Sequence, residues 1–190
     1  MRRLPTRMGG LEMARITVSG HPGSGTSTLV KGLVKHFGWN SLNGGDVFRN
    51  EAARRNMGLH EFGELCKEDL DVDRALDKLL QEKMLEQSAE IVESRLAGWW
   101  AYRLEIPCVR LWLDVDEHER AKRVTYREGV SIEEALEQNK KRSSVDAERF
   151  MELYQLLPEQ RDPYTTVLDA TNLASEEVLA AIISILEESI

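Results

Sequence analysis

Residues 20–27 read GHPGSGTS and follow the apolar run Ile16-Thr17-Val18 directly. The spacing answers to G-x-x-x-x-G-K-[ST], with Gly20 and Gly25 as its glycines and Ser27 as its hydroxyl. Glycines let a backbone wrap a phosphate closely, since they adopt positive φ and carry no Cβ. The loop's N–H groups then form an anion nest. The helix that follows adds its dipole and its unpaired N–H groups. The expected phosphate-cradling residues are Gly20, Gly23, Ser24, Gly25, Thr26, Ser27 and Thr28, with the Ser27 hydroxyl facing Mg²⁺. The lysine position holds Thr26, so the site lacks its usual cation. A dinucleotide fingerprint, G-x-G-x-x-G, fits less well. Gly23 and Gly25 begin it and Asp46 lies near its acidic position, but its last glycine falls on Thr28.

Arginines supply the charge that the loop lacks. Arg49 follows Gly44-Gly45-Asp46, in the first turn of an expected helix, where a guanidinium can grip a phosphate bidentately. Arg95 follows an expected central strand, with Glu93 and Glu90 as alternative ion-pair partners. Arg120, Arg123 and Arg127 share one helix face, and Arg142 and Arg149 share another. Glu119, Asp146 and Glu148 could instead hold these as surface pairs of little energetic weight. Beside a phosphate loop, the same arginines suit a reaction that moves phosphoryl charge. Acid–base machinery is thin, with no H-R-D loop, nucleophile elbow or H-E-x-x-H. An acceptor that is already an anionic phosphate needs no base, and positioning and electrostatics then carry the reaction.

The elements that must position these residues alternate. Strands are expected at Arg15–Ser19, Asn40–Leu42, Glu90–Glu93, Cys108–Leu113 and Thr165–Leu168. Helices are expected at Thr26–Phe37, Val72–Glu86, Asp116–Glu128, Ser131–Leu157 and Ser175–Glu188. Leu29, Val30, Leu33, Val34 and Phe37 give the first of these one apolar face. Ser131 and Glu134 have the spacing of a capping box. The alternation predicts an α/β fold with a parallel sheet covered on both faces. Residues 48–87 read as a charged, nearly all-helical insertion over the strand ends, where α/β ligands bind. Trp99 and Trp100 read as packing residues, or as a wall for a base.

At 190 residues the chain has room for one domain with a real core. Its net charge of −8 argues against sequence-independent nucleic-acid binding. Cys66 and Cys108 suggest packing in a reducing compartment rather than a disulfide framework, and no His/Cys cluster has zinc spacing. The longest apolar run, Val178–Leu186, is too short to span a bilayer. Met1–Glu12 lacks a signal peptide's apolar core. It reads as a disordered extension, or as an early start with Met8 or Met13 the true one.

Together the stretches ITVSGHPGSGTST, GGDVFRN with MGLHEFGEL, DVDRALD, ESRLAGWW, REGVSIEEALEQ leading into KKRSSVDAERF, and VLDATNLASEEV resemble the nucleoside monophosphate kinases, most closely the archaeal-type cytidylate kinases. The match runs from Met13 over nearly the whole chain. The resemblance implies a P-loop three-layer sandwich, a five-stranded parallel sheet in order 2-3-1-4-5, within one kinase domain over 13–190. It implies an acceptor-binding helical insertion at 48–87 and a lid at 128–150. It implies ATP and Mg²⁺ as cofactors, CMP or dCMP as acceptor, no nucleic-acid or membrane partner, and a cytoplasmic monomer. By position it assigns Arg49 and Arg95 to the acceptor's phosphate, with Asp46 beside them and Asp73 near the acceptor base. Arg123 falls near the ATP base, and Arg127, Arg142 and Arg149 fall on the moving phosphoryl group. Asp114 joins Ser27 as a water-mediated Mg²⁺ contact. Ser94 stands where the family runs into Gly, and Thr26 fits archaeal-type members. The expected replacement for the loop lysine is Arg127 or Arg149, moving in as the lid closes. Two other functions fit the loop: a kinase with a hydroxyl acceptor such as shikimate, with Asp46 as base, and a non-catalytic nucleotide-binding module.

Overall fold

The computed structural model describes residues 14–86 and 89–189, with the side chains of His60 and Lys67 left aside. The Met1–Glu12 extension, both alternative starts and Gln87 lie outside the described residues. Five parallel strands form one sheet in the order β2-β3-β1-β4-β5. They are β1 (Ile16–Gly20), β2 (Ser41–Asn43), β3 (Ile91–Glu93), β4 (Val109–Asp114) and β5 (Thr166–Asp169). Each starts one residue later than the apolar runs suggest. β1 is central, with Ile16 opposite Ile91 on one side and Val109 on the other.

The three central strands, β3, β1 and β4, are buried on both faces, so two cores form where one alternating pattern would give one. Ile16, Val18, Ile91, Leu111 and Leu113 face α1 (Thr26–Phe37) and α8 (Ser175–Ser189), against Leu33, Ile182 and Leu186. Leu33 and Ile182 are fully buried. Each such side chain contributes about 1.5–3 kcal/mol. The opposite core gathers Val92 and Cys108 with α2 (Gly44–Arg54), α3 (Leu59–Glu68), α4 (Leu70–Leu85) and α5 (Ala97–Arg103). Trp99 and Trp100 are buried in it, which makes them packing residues and not a base wall.

Several boundaries differ from the expected ones for local reasons. The insertion is three helices, because Asn56 takes φ 56 and Asp69 is extended. The Asp69 side chain accepts from Asp71 N–H, so α4 begins at Leu70 and not at Val72. α2 begins at Gly44 under an Asn43 cap, which puts Arg49 in its second turn rather than its first. α6 (Glu117–Glu128) ends at Gly129, and α7 (Ile132–Tyr154) starts afresh after Ser131, whose hydroxyl accepts from Glu134 N–H. α7 stops before Leu157, since Gln155 turns left-handed at φ 54. The short α5 was not expected, because seven residues carry too little periodicity to read.

Candidate active site

β1 ends at Gly20 and α1 begins at Thr26, so the intervening turn sits at the sheet's centre, at the strand's carboxyl end. Gly23 has φ 86, and a Cβ there would lie 2.9 Å from the Arg120 carbonyl oxygen. Arg120 is buried and donates to the carbonyls of Pro22 and Val115, each at 3.1 Å. Burial lowers its pKa, with nearby carboxylates opposing. Arg123 donates to the carbonyls of Ser24 at 3.0 Å and Ala170 at 2.7 Å. In a trans peptide the C=O and the following N–H point apart. Turning the Pro22 and Ser24 carbonyls onto these arginines therefore aims the Gly23 and Gly25 N–H groups the other way, as anion binding requires. Arg120 and Arg123 thus brace the loop from outside, while Arg127, one further turn along α6, reaches the cleft.

Ser27 Oγ donates to Glu93 Oε1 at 2.7 Å, and Asn43 Nδ2 donates to Glu93 Oε2 at 2.6 Å. Glu93 is buried at the end of β3. Its carboxylate and the Ser27 hydroxyl are hard oxygens on one spot beside the loop, a donor pair that fits Mg²⁺. Among the described residues no cluster of three or more His, Cys, Asp or Glu could hold a metal by itself. Mg²⁺ usually keeps waters and substrate phosphates as its other ligands, so a sparse protein set suits it. Asp114 ends β4 and is not among the residues that line the cleft; the carboxylate beside Ser27 is Glu93.

From the loop a cleft of about 460 Å³ runs past the start of α2 to α4 and α7. It brings together Gly20, Gly23, Gly25, Thr26, Ser27 and Thr28 with Asp73, Arg95, Arg127, Arg142 and Arg149. Ser24 turns its carbonyl outward and buries a hydroxyl without a partner. Arg95 bonds neither Glu93 nor Glu90: its Nε lies 3.0 Å from Asp146 and its Nη1 donates to the Gly20 carbonyl at 3.2 Å. Arg149 sits 3.1 Å from Asp73 and 3.5 Å from Asp146, with its guanidinium 4.5 Å from the Phe150 ring. The Arg149–Asp73 pair is an ion pair without hydrogen-bond geometry. Asp146 thereby bridges two arginines. Arg127 is exposed and holds only its neighbour Glu128, at 2.5 Å, and Arg142 has no ion-pair partner among the described residues. Arg49 and Asp46 pair with each other at 2.6 Å, largely exposed, and neither is among the cleft-lining residues.

The far end of the cleft is more apolar, with Val47, Phe48, Leu76, Leu80 and Phe150 around two carboxylates of α4. Asp73 is buried, and burial pushes its pKa up while Arg149 opposes the rise. Asp77, one helical turn on, accepts from the Tyr154 hydroxyl at 2.8 Å, and burial raises its pKa to about 6. The reading from residue types missed Asn43 and Asp77, and it named Glu93 and Asp146 only as ion-pair partners, a role that Asp146 fills toward Arg149. Asp77 had a signal, since it lies four residues after Asp73 on an apolar helix face. Burial pushes the Cys66 thiol to about 11 and the Cys108 thiol to about 12, so both stay protonated packing groups. No helix among the described residues is long and apolar enough to cross a membrane.

A family model described as an AAA domain matches residues 19–138. By fold, an uncharacterized protein from Eubacterium ventriosum superposes with a TM-score of 0.67 at 19% identity, covering 92% of this chain and 99% of that one. The shikimate kinase of Bacteroides thetaiotaomicron superposes at 0.57 with 15% identity, covering 92% and 99%. At such identities the likeness is one of fold alone. By sequence, the cytidylate kinase of Thermococcus kodakarensis is 35% identical over 167 residues, spanning 88% of this chain and 84% of that protein. The cytidylate kinase of Methanopyrus kandleri is 32% identical over 172 residues, spanning 87% and 89%. Identity of this order across most of both chains, on a parallel sheet of the expected order, places the chain in the cytidylate kinase family as a nucleoside monophosphate kinase.

Proposed function

We propose that the chain transfers the γ-phosphate of ATP to CMP or dCMP, giving ADP and the nucleoside diphosphate, in the presence of Mg²⁺. The observation that carries this reading is the single cleft joining the phosphate loop to a second compartment that ends in Asp73 and Asp77. Two nucleotides placed end to end meet at the arginines between. An anionic oxygen of the acceptor's phosphate attacks the γ-phosphorus, and the bond to the bridging oxygen breaks with its electron pair leaving on ADP. No proton need move, so the step asks for no general base. The Ser27 hydroxyl and Glu93 carboxylate would hold Mg²⁺, which would offset the charge of the ATP phosphates. Arg95 would orient the acceptor's phosphate, joined by Arg49 if it lets go of Asp46. Arg123 would flank the ATP base from behind the loop. Arg127, Arg142 and Arg149 would meet the moving phosphoryl group, and the 128–150 segment that carries them would act as the lid.

Thr26 leaves one phosphate charge without a partner worth about 4 kcal/mol at about 4 Å and an effective dielectric near 20. Arg127 is the better replacement than Arg149, since its partner is an exposed neighbour while Arg149 lies between two carboxylates. A hydroxyl acceptor is less well supported. Its base would be Asp46, which stands outside the cleft lining and is paired with Arg49. The deciding assay is ADP release with CMP, dCMP, UMP, AMP, GMP and shikimate. CMP and dCMP are expected to be strongest and UMP weaker; robust turnover with AMP alone sinks the proposal. ATP binding without turnover on any acceptor would favour the non-catalytic module.

A further inference from the structure

Asp77 is a costly side chain for its position. It lies on the same face of α4 as Leu76 and Leu80, in the apolar end of the cleft. Its direct partner is a neutral hydroxyl, Tyr154 Oη on Oδ2 at 2.8 Å. Trp100 Nε1 is buried nearby without a hydrogen bond of ordinary geometry. Asp73 differs, because Arg149 stands 3.1 Å from it and Asp146 shares that arginine. Asp73 is therefore committed to a cation within the protein, and Asp77 is not. An asparagine would keep the Tyr154 bond without a buried charge. A carboxylate at that place points to a ligand that donates to it.

We propose that Asp77 reads the 4-position of the acceptor's base, accepting from the exocyclic amino group of a cytosine and excluding the carbonyl oxygen of a uracil. The inference rests on the cytidylate kinase reading and assigns its base choice to one atom pair. Cytosine presents an amino donor at that position, where uracil presents an acceptor. Tyr154 occupies Oδ2, so recognition falls to the other carboxylate oxygen. An oxygen facing an oxygen leaves both unpaired in an apolar pocket, which costs far more than a missing contact. The groups facing Asp77 are Asp73 on its own helix, Arg149 and Tyr154 on α7, and Trp100 on α5. With a pKa near 6, the carboxyl gains a proton in mild acid and can then donate as well as accept, which relaxes the choice.

The test is kcat/KM for CMP and for UMP, with equilibrium binding of each, in the wild type, Asp77→Asn and Asp73→Asn. In Asp77→Asn the CMP-to-UMP ratio is expected to fall at least about tenfold, since the amide can turn its NH₂ toward the uracil carbonyl. The KM for ATP should not change. Asp73→Asn should lower kcat through Arg149 and leave the ratio alone. In the wild type the ratio should shrink between pH 7.5 and pH 5.5, while titration of the acceptor's phosphate, common to both nucleotides, cancels. That profile carries the test if Asp77→Asn does not fold. A ratio that Asp77→Asn leaves unchanged, or that Asp73→Asn shifts equally, overturns the inference and spares the kinase reading. A wild type that neither binds nor turns over CMP overturns both.

Discussion

Thr26 makes the phosphate loop one cation short, and the arginines of the cleft divide by whether they are free to answer. Arg95 and Arg149 share Asp146, whereas among the described residues Arg142 has no such partner and Arg127 only an exposed one. Arg127→Ala is expected to lower kcat by about 10²–10³, the cost of one preorganised donor, with little effect on ATP binding. Single-turnover rates beside nucleotide binding would check this. Full activity in Arg149→Ala would remove that residue from the reacting centre, and Thr26→Lys measures what the absent lysine is worth. Glu93 meets the same loop from β3, at the Ser27 hydroxyl. Glu93→Ala should raise the half-saturating Mg²⁺ concentration about 10–100-fold, as losses around a metal site typically do. A Mg²⁺ titration of ADP release that shows no shift would count against a Ser27–Glu93 cation site.

At the scale of elements, close approaches decide where helices can sit. Gly98 N–H meets Ser19 Oγ at 3.3 Å, so α5 lies close on β1. A Cβ at Gly98 would run into the Tyr164 ring. Gly98→Ala should therefore cost about 1–3 kcal/mol by overpacking, read as a Tm several degrees lower. An unchanged Tm would mean that Tyr164 swings aside freely. The same scale shows what residue order could reveal. The loop needed no fold to be read, because its chemistry is local: Gly20 to Ser27 are consecutive. Arg95, Arg127, Arg142 and Arg149 could be named from type and spacing, but not sorted, since their partners come from other elements. Arg95 finds Asp146 and the Gly20 carbonyl across a fold that a linear reading cannot close. Glu93 looked like an ion-pair partner for its neighbour two residues on, and only the register of β3 beside β1 carries it to Ser27. Arg49 was misplaced by one turn because the Asn43 cap came earlier than the apolar pattern implied.

Across the whole molecule, the acidic end of the cleft contributes to the pH response of stability. Burial raises the Asp77 carboxyl in the folded protein from its ordinary 3.8 to about 6, so its neutral form favours the native state. That contribution is complete below about 4 and disappears as pH rises through 6. A shift of this size is worth up to about 3 kcal/mol. Asp77→Asn is thus expected to be about 1–3 kcal/mol more stable than wild type at pH 7.5, with the gain vanishing near pH 4. Urea unfolding at the two values checks the sign. Asp73, raised by the same burial, adds in the same direction. Asn43 has a reach of a different kind. Its Oδ1 accepts from Gly45 N–H at 2.7 Å to cap α2, and its Nδ2 holds the carboxylate that holds Ser27. A cation that drew Glu93 away from Asn43 would loosen the cap of α2, whose start borders the cleft. If the two nucleotides are coupled in this way, thermodynamic reciprocity makes the factor by which each changes the other's affinity the same. Measured as the Kd of CMP with and without Mg-ADP, that factor should move toward one in Asn43→Ala. Cooperation between the two halves of the cleft would then pass through a single amide side chain, with no displacement of a domain required.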